Sequence, residues 1–318
     1  METLLLTRSE IAALLDMRDC IDAVETAFRL HAGGKIGPPG VLGMHVPAGG
    51  FHVKAATMQS YFAAKTNANF PGNPARGLPT IQGAILLFDA ADGRLLAIMD
   101  SAEVTALRTG ATTGVAARHL ARRSASVATL VGCGAQSAAQ LRALSAVREL
   151  RKVFVSDLDP ERAARFAEQH GAEVTRDLRG ALAGSDICIT CTTSQRPIIH
   201  AGWVPAGCFI AAIGADNEHK QEIDPALFRS ARVVVDSLEQ CARIGDLHHA
   251  LEAGAISLDG VHAELGEIAS GHKPGRESEA QTILFDSSGV ALGDVAAAAL
   301  IYERALGGKR GRALRLTD

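Results

Sequence analysis

Three residues of types suited to handling a small anion stand out in the sequence: Lys65, Arg108 and Asp216. Lys65 lies in "YFAAKTNANF", among aromatic and small residues with no other charge beside it. Arg108 lies in "VTALRTGATTG", one helical turn from Val104 and from Thr112, where a guanidinium can fork onto a carboxylate or a phosphate. An internal salt bridge accounts for it too, but Glu103, five residues back, fits helical spacing poorly, so that acid would come from elsewhere in the fold. Asp216, in "CFIAAIGADNEHKQEID", follows a strand at the edge where open α/β sheets bind ligands. Desolvation there would raise its pKa and suit it to proton transfer, although the pattern reads equally as a helix N-cap, with Lys220 one turn further on. Around Lys65, the stretch from Thr26 to Phe88 holds no Asp or Glu but does hold Arg29, Lys35, Lys54, Lys65 and Arg76. A region whose formal charges are all positive attracts carboxylates.

A second chemistry is written in "LVGCGAQSAAQ", which places Gly132 and Gly134, with Ser137 in the third small position, between an apolar strand and a helix. The first glycine permits a tight turn, and the second lets the backbone approach a pyrophosphate that the helix N-terminus would hold. The alternative is an ordinary strand-to-helix turn. The next strand ends at Asp157, where an acid can bond both ribose hydroxyls and repel a 2'-phosphate, favouring NAD(H) over NADP(H). A solvated loop acid is the other reading of Asp157, with Asp159 as the helix cap before Pro160.

These residues need two kinds of scaffold. Residues 8 to 33 have one helical periodicity that stops at Gly33-Gly34, and alternating runs follow at 51–55, 61–67, 81–89 and 95–100, the last two joined by "AADG". They predict an antiparallel sheet with a helix. Asp100 and Glu103 make a capping-box pattern that opens a helix to about Ala121. From Ala125 strands and helices alternate, and six strands ("SVATLVG", "KVFVSD", "AEVTR", "DICITCTT", "CFIAAIG", "ARVVVDS") fit a doubly wound, Rossmann-type parallel sheet. The fold class is therefore α/β, with a Rossmann domain over 123–288 and an α+β domain formed by 1–122 together with 289–318, to which the last alanine-rich helix would return.

Composition narrows the classes further. A net charge of -3 with dispersed cations offers no footprint for nucleic acid. No apolar run is long enough to span a bilayer, and "METLLLTRSEIAALL" lacks the length of a secretory signal, so the chain reads as soluble and cytoplasmic. Six scattered cysteines do not form a disulfide framework. Cys188 and Cys191 look like a CxxC pair, but residues three apart on a strand face opposite ways. His248 and His249 are adjacent rather than four apart and read as a helix end, so no metal is expected.

The blocks "GLPTIQGAILLFDAADGRLLAIMDSAEVTALRTGATTGVAARHLA", "VGCGAQ", "IGADNEHKQEID" and "FDSSGVALGDVAAAA", in this order, resemble the ornithine cyclodeaminase and mu-crystallin family over nearly the whole chain. The resemblance implies a homodimer of two-domain subunits with NAD(H) in the Rossmann domain. It implies that Lys65 and Arg108 grip a substrate carboxylate, with Ser288 as a further substrate contact, and that Asp216 moves a proton. The cofactor contacts it implies are Thr80, Arg108, Thr109, Gly132, Gly134, Ala135, Gln136, Asp157, Thr192, Ile213, Gly214, Lys220 and Ser287. The chain departs from the family at Gly40 in "GPPGVLGMHV", where many members carry an arginine after the paired prolines; Lys54 is the nearest replacement.

These implications favour an NADH-dependent reductase of a small imino acid, giving an L-amino acid, with an extra cation suited to a dicarboxylic one. An ornithine-type cyclodeaminase that recycles NAD is the first alternative, though the acid-free stretch offers no carboxylate for a second amine. A non-catalytic, mu-crystallin-like binding protein is the second.

Overall fold

The structure is a computed structural model and describes residues 2–316. The chain divides into two compact units, Met1–Ala111 with Val290–Asp318, and Thr112–Gly289. The division falls inside the helix Ser101–Leu120, opened as its sequence predicts by Asp100, whose carboxylate accepts the Glu103 N–H at 2.9 Å.

The first unit is built on a seven-stranded sheet in the order Arg312–Arg315, Glu2–Leu6, Leu95–Asp100, Ile81–Asp89, Tyr61–Asn69, Gly49–Met58, Gly40–Val46. Glu2–Leu6 pairs with Leu95–Asp100 in parallel, and the remaining pairs are antiparallel. Alternation along the middle strands sends Ala56, Met58, Ala63, Ile85 and Leu87 into the core beneath the helix Ala291–Gly308. Three strands, Glu2–Leu6, Gly40–Val46 and Arg312–Arg315, carry no alternating pattern and escape a sequence reading. The single helix expected over 8 to 33 is in fact two, Arg8–Leu14 and Met17–Ala32. Leu15 is extended, and Asp16 caps the second helix by accepting the Arg18 N–H at 2.8 Å, so a local cap overrides a continuous periodicity.

The second unit holds an eight-stranded, wholly parallel sheet in the order Ala263–Glu264, Arg232–Val235, Ile283–Asp286, Phe209–Ala212, Ile187–Thr190, Val127–Val131, Lys152–Ser156, Glu173–Val174. The six anticipated strands are all present. Two more join them, and Ile283–Asp286 inserts between the strands at 209–212 and 232–235, an apolar run of four residues too short to declare itself. From Val127–Val131 the chain winds one way to 152–156 and the other way through 187–190, so the doubly wound switch point lies at the carboxyl ends of these strands. Cys188 is fully buried, whereas the Cys191 thiol donates to the Gly132 carbonyl at 3.3 Å, and all six cysteines are free.

Candidate active site

In the first unit the sheet and two helices bring Lys65, Arg108 and a third residue together. Lys65 points inward from the strand Tyr61–Asn69, its register partners being Lys54 on one side and Ile85 on the other. Like charges directly opposite on neighbouring strands repel, so this pair needs compensation. Asp294 on the helix Ala291–Gly308 provides part of it: its Oδ1 accepts from Lys65 Nζ at 2.8 Å and lies 2.9 Å from Arg108 Nε. Lys65 is 3% exposed and Asp294 1%. Gly293 makes the approach possible, because a Cβ there would meet Arg108 Cδ at 3.1 Å.

Charge and burial act on these groups in opposite senses. Burial, reinforced by Arg108 and Lys54 against the pull of Asp294, lowers Lys65 from 10.5 to about 7. Burial alone would raise Asp294, but Arg108, Lys65 and Lys54 hold it below the usual carboxylate range. Its Oδ2 is buried and makes no hydrogen bond among the described residues. Arg108 thus has the internal acid partner that the sequence left open, supplied by the far end of the chain. The register also revises the place of Lys54. Gly40 pairs with Ala55 and Val41 with Lys54, so a side chain at position 40 would face the opposite side of the sheet from Lys54 and Lys65. Lys54 therefore joins Lys65 in its own right and does not stand in for a side chain at position 40. Thr80 and Thr109 lie in this unit too, the first half-buried and the second buried.

In the second unit the glycine-rich turn has the shape its sequence demands. Gly132 has φ +97°, and a Cβ there would meet the Cys191 carbonyl oxygen at 2.8 Å. Around Gly134 a Cβ would meet nothing within 4 Å, and Gly134 and Ala135 are exposed, which leaves room for a ligand. The helix Ser137–Val147 begins after Gln136 with no side-chain cap; the Ser137 N–H bonds the Gly134 carbonyl at 3.2 Å, and the next N–H groups of the first turn remain for a phosphate. The Asp157 side chain is 8% exposed and not solvated: its Oδ2 accepts the Cys133 N–H at 2.8 Å and its Oδ1 the Asp159 N–H at 2.8 Å. Asp159 is the helix cap, and Leu158 between them is fully exposed.

Residues 214–220 form a turn, not a helix, so Asp216 is no N-cap. Its side chain is 51% exposed and accepts from Lys220 Nζ at 2.7 Å, so the desolvation expected of it is not found. Ile213 is buried and Gly214 half-buried at the head of this turn. Ser287 and Ser288 both donate their hydroxyls to Asp236, at 2.9 and 3.2 Å.

Four buried acids that the sequence reading gave no role hold this edge together. Glu222 accepts from the Thr192 N–H at 2.6 Å, the Thr192 hydroxyl at 2.7 Å, the Thr190 hydroxyl at 2.6 Å and the Gly214 N–H at 2.8 Å. Asp246 accepts the N–H groups of Glu222 and Ile223, Asp286 those of Asp246 and Leu247, and Asp236 those of Ser288 and Gly289. Burial raises the pKa of Glu222 and Asp246, and lifts Asp286 to about 7. Asp294 sits in a conspicuous setting, an acid one turn into an alanine helix, and that was the available signal; Glu222 lies among the polar and charged residues of "EHKQEID" and gave none.

With this geometry in view, the chain can be set beside known proteins. The family described as the ornithine cyclodeaminase/mu-crystallin family matches residues 1–309. An archaeal alanine dehydrogenase dimer with bound NAD superposes with a TM-score of 0.95 at 38% identity, covering 100% of both chains. The Δ(1)-pyrroline-2-carboxylate reductase of Thermococcus litoralis, in complex with NADH and L-proline, gives 0.93 at 34% identity over 98% of this chain and 100% of that one. The iminosuccinate reductase of Paracoccus denitrificans, in complex with NAD+, gives 0.91 at 31% identity over 99% and 100%.

Two substitutions test these assignments. Asp294→Asn leaves two buried cations without their shared carboxylate and is expected to cost about 3–5 kcal/mol in urea unfolding at pH 6, where Lys65 is charged; a loss under about 1 kcal/mol would refute the account. Glu222→Gln turns an N–H donor toward groups that are themselves donors, and should weaken NADH binding roughly ten- to hundredfold by fluorescence titration, for about 1–3 kcal/mol. Unchanged NADH affinity would remove Glu222 from the cofactor edge.

Proposed function

The chain belongs to the ornithine cyclodeaminase/mu-crystallin family, and from that premise we infer that it reduces a small α-imino acid to an L-amino acid with NADH, preferring a dicarboxylic substrate. It is an NAD-dependent oxidoreductase acting on amino or imino groups. The observation that carries the finer reading is the buried cluster in which one Asp294 oxygen holds Lys65 and Arg108 side by side with Lys54 facing Lys65. Burial first, and then Arg108 and Lys54, lower the pKa of Lys65, and a substrate carboxylate beside it would offset both. Lys54 would take a second carboxylate. The Lys65 ammonium has three N–H donors and directs one of them at Asp294, and the others orient the substrate.

Gly132, Gly134, the amides opening the helix Ser137–Val147, and Asp157 fit a dinucleotide, which when bound supplies the hydride for the Cα of the C=N bond. Asp216, half-exposed, would take a proton from water and pass it to the nitrogen, and Lys220 keeps that carboxyl in place. Asp157, held by the Cys133 N–H, would repel a 2'-phosphate, so NAD(H) is the preferred cofactor, with Arg162 Nη1 3.5 Å away as a partial offset.

A second reading follows from Asp294. The acid-free stretch offers no carboxylate for an amine, but Asp294 Oδ2 is a buried acceptor without a hydrogen-bond partner among the described residues, as a diamino-acid cyclodeaminase would require. Oxaloacetate with ammonia, glyoxylate with methylamine, pyruvate with ammonia and cyclic imines should therefore be screened for NADH oxidation beside ornithine for ammonia release. Net NADH consumption with the dicarboxylic substrate supports the first reading, and ammonia release without it the second.

We also propose a homodimer. The strand Gly40–Val46 is an edge strand with Val41, Leu42, Met44 and Val46 all exposed, Leu42 at 58%, and an unpaired apolar edge of this kind calls for a second chain. No helix of the described residues is long and apolar enough to cross a membrane.

Two outcomes are expected. Because Lys65 loses its charge above about pH 7, KM for the carboxylate substrate should rise with pH from there while kcat changes less; a KM flat from pH 6 to pH 9 would detach Lys65 from substrate binding. The double substitution Leu42→Lys, Met44→Lys should convert the dimer to a monomer by light scattering, and a dimer that persists would move the interface elsewhere.

A further inference from the structure

We propose that His248, His249 and Glu252, on the helix Asp246–Glu252, form a site for a divalent transition-metal ion of the zinc class. One nitrogen of each imidazole and one carboxylate oxygen of Glu252 lie within 4.8 Å of one another. The ring hydrogen bonds decide which nitrogens can coordinate. His249 Nε2 is 2.9 Å from the Lys220 carbonyl oxygen and His248 Nδ1 is 3.3 Å from that of Ala242. A carbonyl only accepts, so each of these nitrogens carries the proton and each ring keeps a lone pair on the other one. That is the outer-shell arrangement that fixes the tautomer of a metal-binding histidine.

The open nitrogen of His248 is Nε2, and it lies 3.5 Å from Glu252 Oε1, the residue one helical turn on. The two ring planes are inclined at 66° with centroids 5.1 Å apart, so the rings meet edge to face and do not stack. Bonds of about 2.1 Å in tetrahedral geometry require ligand atoms roughly 3.4 Å apart. The closure needed falls mainly on Glu252, whose side chain is 66% exposed and free to change rotamer. Three protein ligands leave the fourth position to water. Adjacent histidines lack the i, i+4 spacing from which a sequence reading infers metal, and the missing partner here is the acid at i+4 of the first.

The site bears on the turn that carries Asp216. His249 holds the Lys220 carbonyl, Lys220 Nζ holds Asp216, and Asp246 at the start of the same helix holds the Glu222 and Ile223 amides. An ion on His249 therefore acts on the Lys220 segment that lies between the glycine of the 214 turn and Glu222.

The test uses full-length protein without a histidine tag, stripped with a chelator and titrated with ZnCl2 by calorimetry and with Co2+ by visible absorption. One ion per chain with a histidine-bound Co2+ spectrum is expected. His248→Ala and Glu252→Gln should each weaken it at least about tenfold. NADH fluorescence titration shows whether the variants are folded, and none of these readouts depends on the substrate assignment. Saturating Zn2+ should change the NADH affinity of the parent protein and not that of His248→Ala. Absence of binding, or an affinity in both variants equal to that of the parent protein, overturns the site; equal NADH affinity with and without Zn2+ overturns its link to the Lys220 segment.

Discussion

One carboxylate buried among cations governs the first unit. Without Asp294, Lys65 and Arg108 would meet in a region that excludes water, and their repulsion together with the loss of hydration would force them apart or leave Lys65 neutral. With it, the two are held on one oxygen at hydrogen-bonding and ion-pairing distance, yet burial, with Arg108 and Lys54 behind it, still keeps Lys65 near 7. Desolvation and the neighbouring cations outweigh the attraction of Asp294 there, and a pKa brought near neutrality is what lets an added anion tip the charge state.

The second unit solves a different problem with the same kind of group. Four acids sit inside the sheet's carboxyl edge, and each accepts backbone N–H groups from a neighbouring loop: Glu222 those of Thr192 and Gly214, Asp246 those of Glu222 and Ile223, Asp286 those of Asp246 and Leu247, Asp236 those of Ser288 and Gly289. Loops at the end of a parallel sheet have no strand partners for these donors, and unmet donors in the interior are costly. Side chains that accept two at once fix the loops where a ligand is to be read. Gly214 is a glycine because a Cβ would fall 2.5 Å from the Glu222 carboxylate.

Much of this was legible in the residues. The alternation of strands and helices after Ala125, the glycine turn, and the cap at Asp100 follow from local periodicity and turn chemistry, and all are present. What a linear reading could not see was set by distant pairing. The helix expected over 8 to 33 was broken by Asp16, a single cap inside an unbroken apolar stripe. The short strand Ile283–Asp286 is recognisable only from its neighbours, Phe209–Ala212 and Arg232–Val235. The acid-free stretch correctly marked a positive region, but its compensating acid comes from residue 294, and no window of sequence holds both. Lys54 and Lys65 became a pair only through register.

The first unit is discontinuous, formed by Met1–Ala111 with Val290–Asp318. A ribosome therefore releases both lysines, the arginine and the whole of the other unit before it adds the aspartate that reconciles them. Until then the early segment is an incomplete sheet carrying unrelieved charge, and its final packing must be a late, post-synthetic event governed by long-range closure. Truncated or stalled chains would be unable to complete that unit, however well the middle of the polypeptide had already folded.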